Sequence, residues 1–341
     1  MLGKHAYRKI ILNTLKYVLF LSLAIFLLYL SFKNVSWKDL WSGIQRVNYW
    51  WIALSLLVGF MAFLVRARRW QFIIEPLGYK PSFKHTYDAV AITYLANFAL
   101  PRFGELARCG ALHKTEKIPF NSLLGTVVLE RIFDTLCLLI IAFSVFFLRI
   151  QTFGKFMTEN LWTPLVARTE GRAGIILILT ALVILSLCLL IWIFRKRFVQ
   201  IRFVQKTGKL LNGLIAGLKS GFRLQHRGAF FFYSVLLWFL YWLQGYTTML
   251  AIPEMAVLNG VDALFLLIVG SLAMVAPVQG GLGAYHLLIS LALFAMYEIP
   301  EVQGVVFATI SHETQAIMMI TLGFISLGAV LLQKKQAKNS Q

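Results

Sequence analysis

Stretches too long and too apolar to be left in water constrain this chain more than any other feature. Five of them approach or exceed the roughly 20 residues that a helix needs to cross a bilayer. They cover 17–32, 50–65, 121–148, 173–194 and 229–252. A sixth, 302–332, is long enough to span with tilt or a polar extension. Basic residues precede the first stretch, as in a signal peptide, but Ser31-Phe32-Lys33 is not a small-residue cleavage site. The stretch therefore reads as an uncleaved span. Only 14% of the chain is charged, whereas soluble domains are nearer a quarter. The expected fold class is an all-α polytopic membrane protein, with one integral membrane domain over 1–341.

Two further apolar regions are broken rather than continuous. Residues 89–100 run into Pro101-Arg102-Phe103-Gly104, and 263–276 run into Pro277-Val278-Gln279-Gly280-Gly281-Leu282-Gly283. Proline and glycine stop a helix, and bare backbone at membrane depth is tolerated only where protein or a water-filled cavity covers it. Both regions read as re-entrant hairpins, which gives about six spans plus two hairpins. With the N-terminus placed inside, 25 basic residues fall on the cytoplasmic side and seven outside, as the positive-inside rule requires. Both termini are then cytoplasmic.

The two hairpins share a pattern. Pro101-x-x-Gly104-x-Leu106 matches Pro277-x-x-Gly280-x-Leu282, and an intramembrane acid follows nine residues after a glycine in each half: Gly125 to Asp134, and Gly304 to Glu313. Three spans lie between the hairpins, so the second unit would be inverted, with halves of about 86–150 and 262–332. Interrupted segments in corresponding positions point to the binding site of an inverted-repeat transporter.

Charges inside the apolar stretches are the candidate site residues. Glu130, Arg131 and Asp134 lie roughly 13–20 Å along their helix, with Arg131 in reach of Asp134. A charge at that depth costs at least about 2.5–3.5 kcal/mol, so such groups pair or face a cavity. A structural ion pair and the wall of a polar path both fit them. Arg102, Glu105 and Arg108 flank the first turn. There, a helix N-terminus and a guanidinium could clamp a phosphate, or the three could form an interfacial chain against headgroups. Gly280, Gly281 and Gly283 offer a donor-rich nest or close helix packing. His312 and Glu313 sit within the last stretch. With no second ligand at metal spacing, His312 reads as a satisfied polar group, and neither a metal nor a cofactor is expected. Arg66, Arg68 and Arg69 with Trp70, and the acid-free basic segment 195–227, read as interfacial anchors and topology signals. Trp37, Trp41, Trp50 and Trp51 suit an aromatic belt.

Other classes find no support. The net charge of +19 would suit nucleic acid, but no hydrophilic domain is large enough to bind it. Three cysteines without paired spacing imply neither disulfides nor zinc. There is no Walker A motif and no catalytic constellation, so an enzyme is not expected.

Asn97-x-x-x-Pro101-x-x-Gly104-Glu105-x-x-Arg108, Glu130-Arg131-x-x-Asp134 and Pro277-x-x-Gly280-Gly281-Leu282-Gly283-Ala284 together resemble the lysylphosphatidylglycerol synthase transmembrane-region family of flippase-like proteins. The resemblance covers roughly 10–332. His286 stands where a glutamate is common in that pattern. The resemblance implies a bacterial cytoplasmic-membrane protein that moves a phospholipid, such as aminoacylated phosphatidylglycerol, or a lipid-linked headgroup. The 341 residues leave no room for the soluble aminoacyl-transferase domain, so translocation rather than synthesis is the expectation. Its partners would be anionic or phosphate-bearing membrane lipids. The alternative is a non-catalytic membrane subunit, or a membrane-embedded enzyme, of lipid glycosylation or modification.

Overall fold

The computed structural model describes residues 4–150 and 224–339, together with the single positions 158, 163 and 221. The stretch 173–194, expected to span, and most of the basic segment 195–227 lie outside the described residues. The chain divides into two units, one made of 1–142 with 214–341 and the other of 143–213. All regular structure among the described residues is helical. The helices are α1 (Lys4–Phe32), α2 (Trp37–Gln45), α3 (Tyr49–Ile74), α4 (Phe83–Ala99), α5 (Gly104–Glu116), α6 (Phe120–Leu148), α7 (Arg227–Leu250), α8 (Gly260–Ala273), α9 (Ala284–Tyr297) and α10 (Glu301–Asn339).

Among the described residues, five segments are long and apolar enough to cross a membrane: Tyr49–Leu77, Phe120–Leu148, Arg227–Leu250, Gln279–Tyr297 and Glu301–Gln333. Tyr17–Phe32 joins them as a sixth only when counted with Trp37–Gln45, to which it is bent by 81°. The bend has a local cause. Ser36 accepts from the Asp39 N–H and starts α2 as a new helix, since a serine N-cap satisfies an otherwise orphaned donor. Helix α2 buries Leu40 and leaves Trp37 and Trp41 exposed, as the aromatic-belt reading expects. Gln279–Tyr297 was not counted as a span from sequence. It reaches spanning length only by running through Gly280, Gly281 and Gly283, all at positive φ, so it is not one continuous helix.

Both proline–glycine regions break as the sequence predicts. Helices α4 and α5, of 17 and 13 residues, meet at the first break, and α8 and α9, of 14 residues each, at the second. Asn97 closes the first turn: its Oδ1 accepts the Gly104 N–H at 2.7 Å. In the second pair, Asn259 and Asp262 form a reciprocal capping box at the start of α8, which satisfies two donors at once.

Packing brings the two breaks together. A Cβ on Gly280 would run into the Phe98 ring, and one on Gly283 would lie 2.6 Å from the Ala24 carbonyl oxygen of α1. Helix α10 packs against α4 and α9, and α3 against α4 and α7. One apolar cluster joins Leu40, Met249, Leu293 and Val306. A second joins Phe63, Trp70, Ala91, Leu112 and Leu123, on the face that carries the buried charges.

Gly283 and Gly78 separate strain from fit. Both hold positive φ, but nothing lies within 4 Å of a Cβ at Gly78. Gly78→Ala is expected to cost about 1 kcal/mol from left-handed backbone alone. Gly283→Ala adds the collision with α1 and should lower the thermal unfolding midpoint in detergent by clearly more. Equal losses would show that α1 does not constrain the second break.

Candidate functional site

The charged residues of α3, α5 and α6 assemble into one buried set. Glu130 is 1% exposed and faces three guanidiniums. Arg66 Nε and Arg69 Nη2 donate to its Oε1 at 3.0 and 3.1 Å, and Arg108 Nη2 lies 2.8 Å from Oε2. Asp134, one turn further along α6, lies 2.7 Å from Arg69 Nη1 and 3.7 Å from Arg66 Nη2. Tyr94 and Tyr241 hydroxyls accept from Arg66 Nη1 at 2.8 and 3.3 Å. The Arg108 guanidinium carbon sits 3.7 Å from the centroid of the Trp70 ring, whose Nε1–H donates to Thr126 Oγ1 at 2.9 Å. Helical spacing explains the convergence: residues three or four apart share a face, so Arg66, Arg69 and Trp70 leave α3 together, as Glu130 and Asp134 leave α6.

Two sequence readings change here. Arg66, Arg69 and Trp70 are not interfacial anchors; all three are buried, because carboxylates on α6 satisfy the guanidiniums that would otherwise seek headgroups. Arg131 does not pair with Asp134. It points the other way around α6 and donates to Glu105 Oε1 at 2.8 Å, at a half-exposed position. The missing signal was the partner helix. The Arg-x-x-Arg-Trp spacing of 66–70 matches the Glu-x-x-x-Asp spacing of 130–134, and sequence alone does not say that the two helices touch.

Arg102 and the second break meet directly. Arg102 adopts a left-handed φ of 60°, unusual for a residue with a side chain, and its Nη2 donates to the Val275 carbonyl at 2.6 Å. The first N–H of α5 is capped by Asn97 rather than free. The N-terminal clamp drawn from sequence is therefore partly occupied by protein groups: Arg102 ties the first break to the second.

A third set forms behind Gly280. His312 lies 2.9 Å from Glu313 Oε1 through Nδ1, and 2.9 Å from the Gly280 carbonyl through Nε2. His286, the third residue of α9, brings its Nε2 to 3.5 Å from the same Glu313 oxygen. Tyr285 accepts from Ser311 Oγ at 3.1 Å and lies against the His312 ring. The three glycines thus position a carbonyl and allow close packing. Gly281 would drive a Cβ into Met274, and the backbone bends that these residues permit bring His286 back to α10.

The residues named from sequence therefore fall into three groups: Arg108, Glu130 and Asp134 in the buried set, His312 and Glu313 behind Gly280, and the half-exposed Glu105–Arg131 pair, with Arg102 linking the breaks. Removing Glu130 leaves three buried guanidiniums facing a single carboxylate. Breaking a buried pair by deleting one partner costs about 3–5 kcal/mol, so Glu130→Ala should lose that much stability in a thermal or denaturant melt. Arg131→Ala, at a half-exposed pair, should change it by less than about 1 kcal/mol.

The model of the lysylphosphatidylglycerol synthase transmembrane region matches residues 15–323. A UPF0104 membrane protein of Methanocaldococcus jannaschii is 32% identical over 93 residues, which is 26% of this chain and 28% of that protein. The match thus spans less than a third of the curated relative's length. No solved structure matches the chain.

Proposed function

Because the chain belongs to the lysylphosphatidylglycerol synthase transmembrane-region family, we propose that this multi-pass membrane protein translocates a phosphate-bearing lipid headgroup from one leaflet to the other. The observation that carries the proposal is the charge balance of the buried set. Arg66, Arg69 and Arg108 face Glu130 and Asp134, three fixed positive charges against two negative. The Nε–H groups of Arg69 and Arg108 have no hydrogen-bond partner among the described residues. A buried unpaired charge is costly, so the set favours an anion. A lipid phosphodiester carries one such charge, and its oxygens suit the planar, multiply donating guanidinium.

The membrane supplies the rest of the lipid's environment. Acyl chains remain among the exposed apolar faces of the helices while the headgroup passes along polar groups. The pairs α4–α5 and α8–α9 act as re-entrant hairpins of an inverted repeat, the first entering from the cytoplasm and the second from outside. Movement of one against the other opens the site to each leaflet in turn. Arg102, bound to the Val275 carbonyl, is the contact that such a movement breaks. Glu105 and Arg131 lie at a more exposed position, where a headgroup enters. An aminoacylated headgroup brings an ammonium that Asp134, at the partly exposed edge of the set, is placed to receive. The site performs transport and makes no covalent bond. The membrane is the cytoplasmic one, with both termini inside.

Flipping of fluorescent phosphatidylglycerol and a lysylated analogue in proteoliposomes tests this. The protein should raise the rate above empty liposomes. Asp134→Asn and Arg102→Ala should each lower it about tenfold, equivalent to 1.4 kcal/mol on the barrier. Folded protein without any flipping overturns the transport reading and favours an accessory subunit. Flipping unchanged in both variants overturns the assigned path.

A further inference from the structure

The histidine set behind Gly280 brings together acceptors that need a shared proton or a metal ion between them. The Gly280 carbonyl only accepts, so His312 Nε2 at 2.9 Å must carry the hydrogen. A neutral imidazole has one N–H and one lone pair, so His312 then directs its Nδ1 lone pair at Glu313 Oε1, 2.9 Å away. A carboxylate oxygen also only accepts. Two acceptors at that distance require a proton between them, on the ring or on the Glu313 carboxyl, or a metal ion beside them.

His286 turns this pair into a coordination set. Its Nε2 lies 3.5 Å from the same Glu313 oxygen. One ligand atom each from His286, His312 and Glu313 all lie within 4.8 Å of one another. Tetrahedral zinc with bonds of about 2.0–2.1 Å separates its ligand atoms by about 3.3 Å, so two of these approaches already sit near that spacing. The Gly280 carbonyl fixes the tautomer and orientation of His312, as the second partner of a metal-bound histidine ordinarily does. His286 and His312 are 1% and 4% exposed, while the Glu313 side chain is 42% exposed. The set is therefore closed on the imidazole side and open on the carboxylate side.

We propose that His286, His312 and Glu313 bind a divalent first-row transition metal of the zinc type, with a fourth position open to water or an anionic oxygen. Two imidazoles and a carboxylate suit such an ion better than magnesium or calcium, which prefer all-oxygen sets. The inference does not depend on lipid transport. The sequence expectation of no metal rested on His312 standing alone, and the fold brings His286 across from 26 residues away.

The test uses full-length protein in detergent, with any affinity tag removed and bound metals stripped by a chelator, titrated with Co²⁺ and then Zn²⁺. One equivalent of Co²⁺ should give visible d–d absorption of four-coordinate type, which Zn²⁺ abolishes. His286→Gln and Glu313→Gln should each weaken binding about 100-fold or more, the upper end of what lost outer partners already cost. His85→Gln, altering a histidine paired with Glu116 instead, should leave it unchanged. Absent absorption in folded protein overturns the proposal, whichever of His312 and Glu313 carries the shared proton. So does Co²⁺ binding that both site variants retain.

Discussion

The helices around the buried charges answer one difficulty: three guanidiniums held among apolar helices. Arginine does not lose its proton in proteins, so burial cannot neutralise Arg66, Arg69 or Arg108. The chain has to supply partners in place. Glu130 supplies contacts to all three, Asp134 to two, and the Trp70 face covers Arg108. These contacts constrain the relative rotation of α3, α5 and α6, because turning one helix separates a buried guanidinium from its carboxylate. Apolar packing such as Trp70 against Ala91 and Leu123 then fills the space around a geometry that the charges have set.

The same logic explains why broken helices are tolerated here. A chain interruption leaves backbone donors and acceptors without partners, which hydrocarbon cannot satisfy. The first break is repaired by Asn97 on the Gly104 N–H. The second gains Arg102 on the Val275 carbonyl and His312 on the Gly280 carbonyl. The repair at the first break is local, whereas both repairs at the second come from other segments and tie it to α10 and to the first break. Phe98 against Gly280 places the two breaks in contact.

Much of this was legible in the sequence. The apolar stretches announced the long helices, and Pro101 and Pro277 with their following glycines announced the breaks, because both signals depend on local chemistry. Glu130 and Asp134 stood out for the same reason: a charge in an apolar stretch is an anomaly wherever its partner lies. The partners were harder to see. Arg66 and Arg69 looked ordinary near the end of an apolar stretch, where basic residues usually meet headgroups, and only the contact between α3 and α6 makes them buried. Arg131 was assigned to Asp134 by spacing, but the helix turns its side chain to Glu105. His286 stood out only as a departure from the family pattern, and nothing in the sequence paired it with Glu313, since what brings them together is the run of positive φ angles at Gly280, Gly281 and Gly283.

The matching positions of Asp134 and Glu313, nine residues after a glycine in each half, hide a chemical difference. Asp134 sits with guanidiniums, whose charge is permanent, so its set keeps a positive excess under all physiological conditions and is suited to hold an anion. Glu313 sits with two imidazoles, whose lone pairs are available, so its set gathers acceptors and is suited to hold a cation. The two acids therefore sit in different electrostatic surroundings, decided by the basic residues packed beside each. A carboxylate within a span specifies only that a positive partner is needed. Whether that partner is fixed or exchangeable depends on residues elsewhere in the chain, and in this protein the two break regions make the opposite choices.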